Sequence, residues 1–347
     1  MIKNYIFLFL LVVLTGCKSS HNYTATSFSK ISSVEVLSAS ISIRAIASDN
    51  DTIYYAGSDK KLGYVSSKSK LELQLTSLPY NFEFRSLALT SNYVYFLSIG
   101  NPALLYRYSR NLMSKELVYE EKNEKVFYDS MHFWNDNEGI AIGDPTEDCL
   151  SVIVTKDSGK NWSKISCDKL PKTIAGEAAF AASNTNICIK ENSCWIVSGG
   201  IKSRVFFSAD KGNSWKVYPT PIVQGQTMTG VFTAAFYNEK IGFIAGGNYE
   251  NPNQNFENKA ITFNGGKTWK LVGEKTGPGY VSCVQFVPKS KGAGIVTVGA
   301  TGIFYSNDFG TSWKKLSDDA TLYSIRFISE NSAIASGKDK IVRITFE

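Results

Sequence analysis

Three arginines and several acidic residues stand at similar positions in short apolar segments of this 347-residue chain. The set comprises Arg44, Arg85, Arg326, Asp129, Glu177 and Tyr280. Arginines can bind the carboxylate of an acidic sugar, and a tyrosine nucleophile with carboxylic acids can cleave its glycosidic bond. The same arginines can form a basic patch that binds a partner. Polar residues are also ordinary in a wet channel, so these side chains alone do not establish an activity.

Other kinds of site find little support in the sequence. The chain has only two histidines, His21 and His132, which leaves little room for a histidine-rich metal site or for Ser–His catalysis. The Gly-Lys-Thr run at 266–268 lacks the first glycine of a phosphate loop, because that position is Ile261. The net charge of +6 is spread thinly along the chain. We therefore expect no metal, no cofactor and no nucleic-acid partner.

Four segments that share one pattern belong to the scaffold that must position these residues. They lie at residues 155–162, 208–215, 262–269 and 306–313, and each reads S/T-x-D/N-x-G-x-(S/T/N)-W. A strand-like run precedes and follows each copy. The Asp or Asn side chain can accept hydrogen bonds from loop amides, Gly supplies a positive φ, and Trp covers the joint. The pattern residues are Asp157, Gly159, Trp162, Asp210, Gly212, Trp215, Asn264, Gly266, Trp269, Asp308, Gly310 and Trp313.

These segments resemble Asp-boxes, also called bacterial neuraminidase repeats. Such repeats occur in sialidases, sortilin-type domains and propellers similar to photosystem II stability and assembly factors. In those families the box is a structural turn between the two outer strands of a blade, so the resemblance implies a scaffold role for the four copies. The Arg-Ile-Pro signature that accompanies sialidases is missing here. Over nearly the whole chain, the likeness to the assembly-factor propellers, which are seven-bladed and sometimes lipid-anchored, implies a protein that binds other proteins.

Apolar runs that end in glycine form a second, weaker repeat. Seven such runs occur, each flanked by two more strand-like runs, at about 45 residues per repeat, the span of a four-stranded propeller blade. High aromatic content and many glycines agree with short strands and tight turns. The sequence predicts an all-β fold: a single seven-bladed β-propeller of four-stranded blades. A spare strand around Val34 is expected to pair with the C-terminal strand, complete the last blade and close the ring.

Long loops of the third to fifth repeats are expected to share one face of the propeller. The segment 246–259 is polar and carries Tyr249 and Phe256, and the segments before it contain Asp144 and Arg204. Binding residues are commonly found on long loops of a rigid scaffold. We expect these four residues to form one binding face with Arg44, Arg85, Arg326, Asp129 and Glu177. A loop without a ligand is the alternative for the segment 246–259.

The N-terminus predicts export and anchoring. Residues 1–16 contain Lys3 followed by a ten-residue apolar run, which is a secretory signal too short to span a bilayer. The run ends in Leu-Thr-Gly before Cys17, which resembles a bacterial lipoprotein cleavage box and implies lipidation of Cys17. An ordinary signal peptide with a chance cysteine is the alternative. We expect residues 17–32 to be a flexible tether, residues 33–347 to be the propeller, and the protein to be anchored in the bacterial envelope, at the outer membrane.

The cysteines agree with an oxidising compartment. Cys149 and Cys167 flank the first box turn symmetrically, and Cys188 and Cys194 bracket a second turn signal. Both pairs are candidate cross-strand disulfides, and four separate buried cysteines are the alternative.

Two functions remain open from the sequence. The first is a non-catalytic envelope propeller that binds or helps to assemble a partner protein, and the second is a sialidase-like glycoside hydrolase or a glycan-binding protein.

Overall fold

The computed structural model of the protein describes residues 27–66, 68–74 and 82–347. Its regular structure is almost entirely antiparallel strands, and the single helical element among these residues is a 3-10 turn at Cys167–Lys169. The predicted all-β class is confirmed. Within the described part of the chain, no helix is long and apolar enough to cross a membrane.

The strands are numbered in chain order. The first ten are β1 (Ile31–Asp49), β2 (Thr52–Gly57), β3 (Lys61–Val65), β4 (Lys70–Gln74), β5 (Phe84–Leu89), β6 (Tyr93–Ser98), β7 (Ala103–Ser109), β8 (Lys115–Glu121), β9 (Tyr128–Phe133) and β10 (Gly139–Gly143). The next ten are β11 (Ser151–Thr155), β12 (Ser163–Lys164), β13 (Glu177–Ala178), β14 (Ile187–Lys190), β15 (Ser193–Val197), β16 (Gly199–Gly200), β17 (Arg204–Ser208), β18 (Lys216–Pro219), β19 (Thr229–Phe236) and β20 (Gly242–Asn248). The last eight are β21 (Lys259–Thr262), β22 (Lys270–Leu271), β23 (Val281–Phe286), β24 (Ile295–Gly299), β25 (Gly302–Ser306), β26 (Lys314–Ser317), β27 (Leu322–Phe327) and β28 (Ser332–Phe346).

These strands form a closed β-propeller. The inner strands β1, β5, β9, β14, β19, β23 and β27 touch in succession and return to β1. Apolar side chains fill the space between neighbouring sheets; one such cluster joins Tyr95 and Leu105 to Met131 and Ala141. Second strands such as β10 are buried along their whole length, because sheets cover them on both faces. This explains why those runs read as continuously apolar rather than alternating.

The predicted number of blades is wrong. The strands form six hydrogen-bonded sheets, so counted by sheet the propeller has six blades, not seven. Four sheets have four strands each, and two have six. The first and last repeats merge because β1 is continuous: its residues 31–42 pair with β28, and its residues 43–49 pair with β2. A strand shared in this way makes one sheet where the sequence pattern suggests two.

The expected pairing between the two ends of the chain is present. In the antiparallel register of β1 and β28, Val34 faces Arg343 and Ile31 faces Phe346. The propeller starts earlier than the expected residue 33, because β1 begins at Ile31 and Phe28 is buried. The Phe28 ring lies 4.8 Å from that of Tyr305. The end of the predicted tether therefore packs on the propeller, and Cys17 and the signal segment lie outside the described residues.

One of the two predicted disulfides is present. Cys149 and Cys167 are bonded, with their Cα atoms 5.5 Å apart. They are not a facing pair in one hairpin, since Cys149 forms a bridge with Lys172 and Cys167 lies in the 3-10 turn. The bond therefore joins the loop before β11 to the turn after β12, in the sheet formed by β9–β12.

The predicted disulfide between Cys188 and Cys194 is wrong, since both are free thiols. In the hairpin of β14 and β15, Cys188 faces Trp195 and Ile189 faces Cys194. The two cysteines are thus offset by one residue and project from opposite faces of the sheet. The Cys188 thiol donates instead to the Ala234 carbonyl at 3.0 Å.

The four repeated segments form the same turn between the outer two strands of their sheets. In the first copy, the Thr155 hydroxyl donates to Asp157 at 2.9 Å and accepts from the Gly159 amide at 3.0 Å. Equivalent bonds occur in the other three. The indole N–H of Trp162 donates to the Gly159 carbonyl at 3.1 Å. Gly159 has a φ of 65°, and a Cβ there would meet the Tyr95 ring of the preceding sheet at 2.3 Å. The turn therefore locks two sheets together.

Candidate functional site

A β-bulge recurs at the same point of six inner strands and places six side chains in a ring. In each strand the register skips one residue, and these residues are Arg44, Arg85, Asp129, Phe232, Ser282 and Tyr323. Bulges re-aim side chains and often lie next to functional sites. The ring is coherent, since the Arg44 guanidinium lies 4.3 Å from the centre of the Tyr323 ring. We call these six residues the bulge ring.

The fourth repeat departs from the others. Where an inner strand of full length is expected, β13 has only two residues and is followed by an irregular segment, residues 179–186, which we call the plug. The plug crosses the centre of the propeller and bonds to strands around it. Its Ser183 hydroxyl donates to the Ser282 carbonyl at 2.6 Å, and its Asn184 amide group donates to the Leu87 carbonyl at 2.8 Å.

The plug divides the centre into two openings. Its first residues line one cavity of about 820 Å³ together with Arg44, Arg85 and Phe232 of the bulge ring. Its Thr185 lines a second cavity of about 870 Å³ at the opposite end. We call the first the upper cavity and the second the lower cavity. Both volumes are typical of sites that hold a small molecule or a peptide side chain.

Aromatic rings form much of the upper cavity. The ring of Phe180, from the plug, stacks on Phe232 with centroids 4.0 Å apart. Tyr280 meets Phe232 edge-on at 4.8 Å, and Tyr249 meets Tyr280 edge-on at 5.1 Å. Tyr249 is 47% exposed and Ile174, also in the lining, is 43% exposed. Large apolar side chains at this exposure, gathered around one concavity, are typical of a binding site.

Two carboxyl groups lie beside these rings. Asp144 lines the cavity, and one of its oxygens accepts a hydrogen bond from the Ala179 amide at 2.9 Å. Burial raises the pKa of Asp144 to about 7. Asp129 is fully buried, and neither of its oxygens forms a well-aligned hydrogen bond to a described residue, although the Ala181 backbone amide lies close enough to lower its pKa. Burial, and then the charge of Asp144, raises the pKa of Asp129 well above its usual value, although Arg85 opposes that shift.

The one strong cation beside this pair is shared with another acid. Arg85 donates to Glu83 at 2.7 Å, so its charge is already partly neutralised. Its Nε is buried and has no hydrogen-bond acceptor among the described residues. The acid pair therefore has too little positive charge around it for both carboxyls to ionise readily near neutral pH.

Glu177 and Arg204 form a buried ion pair at the edge of the same cavity. The Glu177 side chain is fully buried and accepts from Arg204 Nε at 2.9 Å and also from Arg204 Nη2. The Ser198 hydroxyl donates to Glu177 at 2.6 Å, and the Ile174 amide donates to it at 3.0 Å. The sequence suggested that Arg204 is a free anchor of a binding face. In the structure Arg204 is instead a structural partner of Glu177.

The structure brings together five of the nine predicted binding residues. Arg44, Arg85, Asp144, Glu177 and Tyr249 line the upper cavity. Asp129 lies buried in the bulge ring beside it. Phe256 is 43% exposed but lies outside the lining, as does Arg204.

Arg326 is the clear exception to the predicted basic patch, since it lines the lower cavity. The Ser-Ile-Arg runs at 42–44 and 324–326 look equivalent, but the register shows otherwise. The bulge residue of β27 is Tyr323, so Tyr323 corresponds to Arg44, and Arg326 corresponds to His132. Arg326 donates to the plug carbonyl of Ser183 at 2.8 Å.

Burial and the charge of Arg326 lower the pKa of His132 to about 4, so the imidazole ring of His132 is neutral.

Sequence reasoning missed the plug and two rings of the cavity, Phe180 and Phe232. One signal was available: the run Ser-Asn-Thr-Asn at 183–186 is polar where the other repeats have an apolar inner strand.

The four repeated turns lie at the lower end, where Lys211 of the second turn lines the lower cavity. Among the described residues, no group of three or more His, Cys, Asp or Glu side chains is placed to hold a metal ion.

Comparisons with known proteins support the fold. No protein-family model matches the sequence. No curated protein matches it either. Among solved structures, YCF48 bound to D1 peptide is similar with a TM-score of 0.65 at 12% identity, over 93% of this chain and 98% of that one. YCF48 from Cyanidioschyzon merolae gives 0.63 at 12%, over 91% and 98%.

An enzyme is also similar in structure. The Niastella koreensis GH74 enzyme gives a TM-score of 0.58 at 16% identity, over 88% of this chain and 43% of that one. At such identities these likenesses establish the propeller fold, and the chain corresponds to less than half of the GH74 enzyme.

Proposed function

We propose that this protein is a lipid-anchored propeller of the bacterial envelope that binds a segment of a partner protein in the upper cavity. The observation that carries this proposal is the exposed aromatic wall of that cavity, where Tyr249 stands over Phe232 and Tyr280. YCF48, a similar propeller, has been solved with D1 peptide bound, which supports a protein partner. The disulfide between Cys149 and Cys167 agrees with an oxidising compartment such as the periplasm.

Tyr249 should be an energetic anchor of this interaction. Aromatic side chains are enriched among interface residues that dominate binding energy. Replacing Tyr249 by Ala should weaken partner binding by roughly 1–2 kcal/mol, about tenfold, with little loss of stability, because the side chain is half exposed. The measurement is affinity capture from detergent-solubilised envelope with the immobilised propeller, quantified by mass spectrometry.

A matched control is available at the other end of the propeller. Phe263, in the third repeated turn, is 56% exposed and lies outside the upper cavity. Phe263→Ala removes a comparable exposed ring and should leave capture unchanged. If Phe263→Ala abolishes capture while Tyr249→Ala does not, the partner binds the lower face and the proposal is wrong.

Anchoring through Cys17 is the second part of the proposal. Each buried methylene of an acyl chain stabilises membrane attachment by about 0.8 kcal/mol, so several chains on Cys17 make the anchor effectively permanent. Cys17→Ser should therefore move the protein from the membrane fraction to the soluble fraction, measured by fractionation and immunoblotting. Ser19→Ala, two positions further on, should leave it in the membrane fraction. Retention of the Cys17→Ser protein would refute lipid anchoring.

A glycoside hydrolase is the second candidate. Asp144, with its raised pKa, has the property that a general acid needs, and the GH74 enzyme shares the fold. The mechanism requires two carboxyl groups that both reach the substrate. Asp129 is fully buried, so it cannot serve as the second group in this arrangement. Release of reducing sugar from envelope glycans, lost in Asp144→Asn, would favour the enzyme over the binding protein.

A further inference from the structure

We propose that the upper cavity binds a positively charged group carried on an apolar stem, such as a lysine side chain of the partner, against Asp144, beside the buried Asp129. This names the chemistry of the bound segment and so rests on the proposed function. Three independent features of the cavity carry it: a buried acid pair that forms no ion pair with a described cation, a wall of aromatic rings, and arginines that are already bonded to other groups.

The acid pair is the first feature. Both oxygens of Asp129 are buried, and no described cation forms an ion pair with them, although the Ala181 backbone amide lowers the pKa of this carboxyl. The charge of Asp129 also interacts with that of Asp144. Leaving a buried carboxylate unpaired is unfavourable, and such groups normally have a cation or stay protonated. Asp144 uses one oxygen to accept from Ala179 and lines the open cavity. A cation placed there would let the pair ionise.

The aromatic wall is the second feature. Phe180, Phe232, Tyr249 and Tyr280 form successive stacked and edge-on contacts in the lining. Aromatic faces attract cations through their quadrupole, most strongly where water is excluded. Their apolar surface also suits the methylene stem of a lysine, which commonly packs on apolar surface while its ammonium group reaches a polar partner.

The other charged groups of the cavity do not fill this role. Arg85 acts on the charge of Asp129 but is bonded to Glu83. Arg44 lies over Tyr323 and donates to the plug at Ala182. Glu177 is paired with Arg204, and Asp148 with Lys172. Lys125 and the exposed Glu147 also line the cavity. Asp144 is therefore the partly buried carboxyl of the lining that has no described cation paired with it.

The probe for the test is n-hexylammonium, with n-hexanol as its uncharged counterpart. Binding is measured by isothermal titration calorimetry on the full chain with Cys17→Ser. This protein keeps residues 1–26, so the result does not depend on removing that segment. We expect hexylammonium to bind at least tenfold more tightly than hexanol at pH 7.5. Binding should release protons, seen as a heat that depends on the ionisation enthalpy of the buffer.

The pH dependence has a definite sign. A bound cation favours the ionised carboxyls, so it lowers their pKa, and affinity must rise as pH increases towards the free value of about 7 for Asp144. We expect hexylammonium to bind about tenfold more tightly at pH 7.5 than at pH 5.5. Hexanol binding should not change with pH.

Two variants of equal charge change separate the site from general electrostatics. Asp144→Asn keeps an oxygen for the Ala179 amide and should weaken hexylammonium binding at least tenfold and abolish its pH dependence. Glu250→Gln removes an exposed charge beside Tyr249, outside the lining, and should change affinity less than twofold. In case Asp144→Asn does not fold, carboxyl 13C NMR of the Cys17→Ser protein should show the Asp144 pKa falling when hexylammonium saturates the cavity.

Equal binding of hexylammonium and hexanol, no binding of hexylammonium, or an equal effect of both variants would overturn the proposal. The two proposals can also fail separately. If hexylammonium binds as described but envelope capture does not depend on Tyr249, the cation site is supported and partner binding at this cavity is refuted.

Discussion

Replacing Arg204 by Met should lower the free energy of unfolding by about 3–5 kcal/mol. The change leaves the Glu177 carboxylate fully buried without its cation, and breaking a buried ion pair from one side is strongly destabilising. Equilibrium urea unfolding, followed by tryptophan fluorescence, measures the effect. The matched control is Lys172→Met, which breaks an ion pair with Asp148 whose two side chains are more than half exposed. Exposed pairs contribute only about 0–1 kcal/mol.

A double variant identifies the cause of the loss. Glu177→Gln removes the negative charge while keeping an oxygen for the Ile174 amide, so combining it with Arg204→Met should recover much of the lost stability. A double variant as unstable as the sum of the two single variants would show that packing of the arginine, rather than the unpaired charge, controls stability. An Arg204→Met protein of unchanged stability would contradict the role of the pair altogether.

Replacing Trp162 by Ala should be comparably damaging, with a loss of about 3–5 kcal/mol. Trp162 is 8% exposed, bonds to the Gly159 carbonyl and meets the Phe133 ring edge-on at 5.7 Å. Removing it opens a cavity between two sheets and uncovers the first repeated turn. Calorimetric or urea unfolding measures the loss, and the folded protein should bind its partner normally, because the upper cavity does not include this turn.

Lys160→Ala provides the control within the same turn. Lys160 is exposed and follows Gly159 directly, so its removal should change stability by less than about 0.5 kcal/mol. Partner binding that falls in Trp162→Ala protein at a temperature where it is fully folded would mean that the turn has a role beyond holding the sheets.

The repeat predicted the propeller because each unit repeats a strong local signal. The four turns with Trp162, Trp215, Trp269 and Trp313 come with their own hydrogen-bonding side chains, so their conformation is a local property of eight residues. The closing pair of end strands also follows from counting strands. The number of sheets does not, because whether β1 continues from one repeat into the next depends on backbone geometry between residues 38 and 43.

The parts of the site that were misassigned depend on register. A shift of one residue separates Cys188 from Cys194, and a bulge at Tyr323 moves Arg326 three positions away from the point that resembles Arg44. Neither shift changes the composition of its segment, so the sequence pattern looks the same either way. The plug shows the converse case: its polar run was visible, but its bonds to six other strands are long-range contacts that no local pattern predicts.

Joining the first strand to the last also governs how the molecule can fold. Ser29 and Glu347, which hydrogen-bond in the finished ring, are 318 positions apart. During synthesis, β1 cannot pair with β28 until β28 has left the ribosome. Such a non-local contact makes folding slow. The intermediate is an open ring with two unpaired edges, which invites exchange of end strands between chains. If export occurs as proposed, this open intermediate forms after translocation, and chaperones that protect strand edges would act on it there.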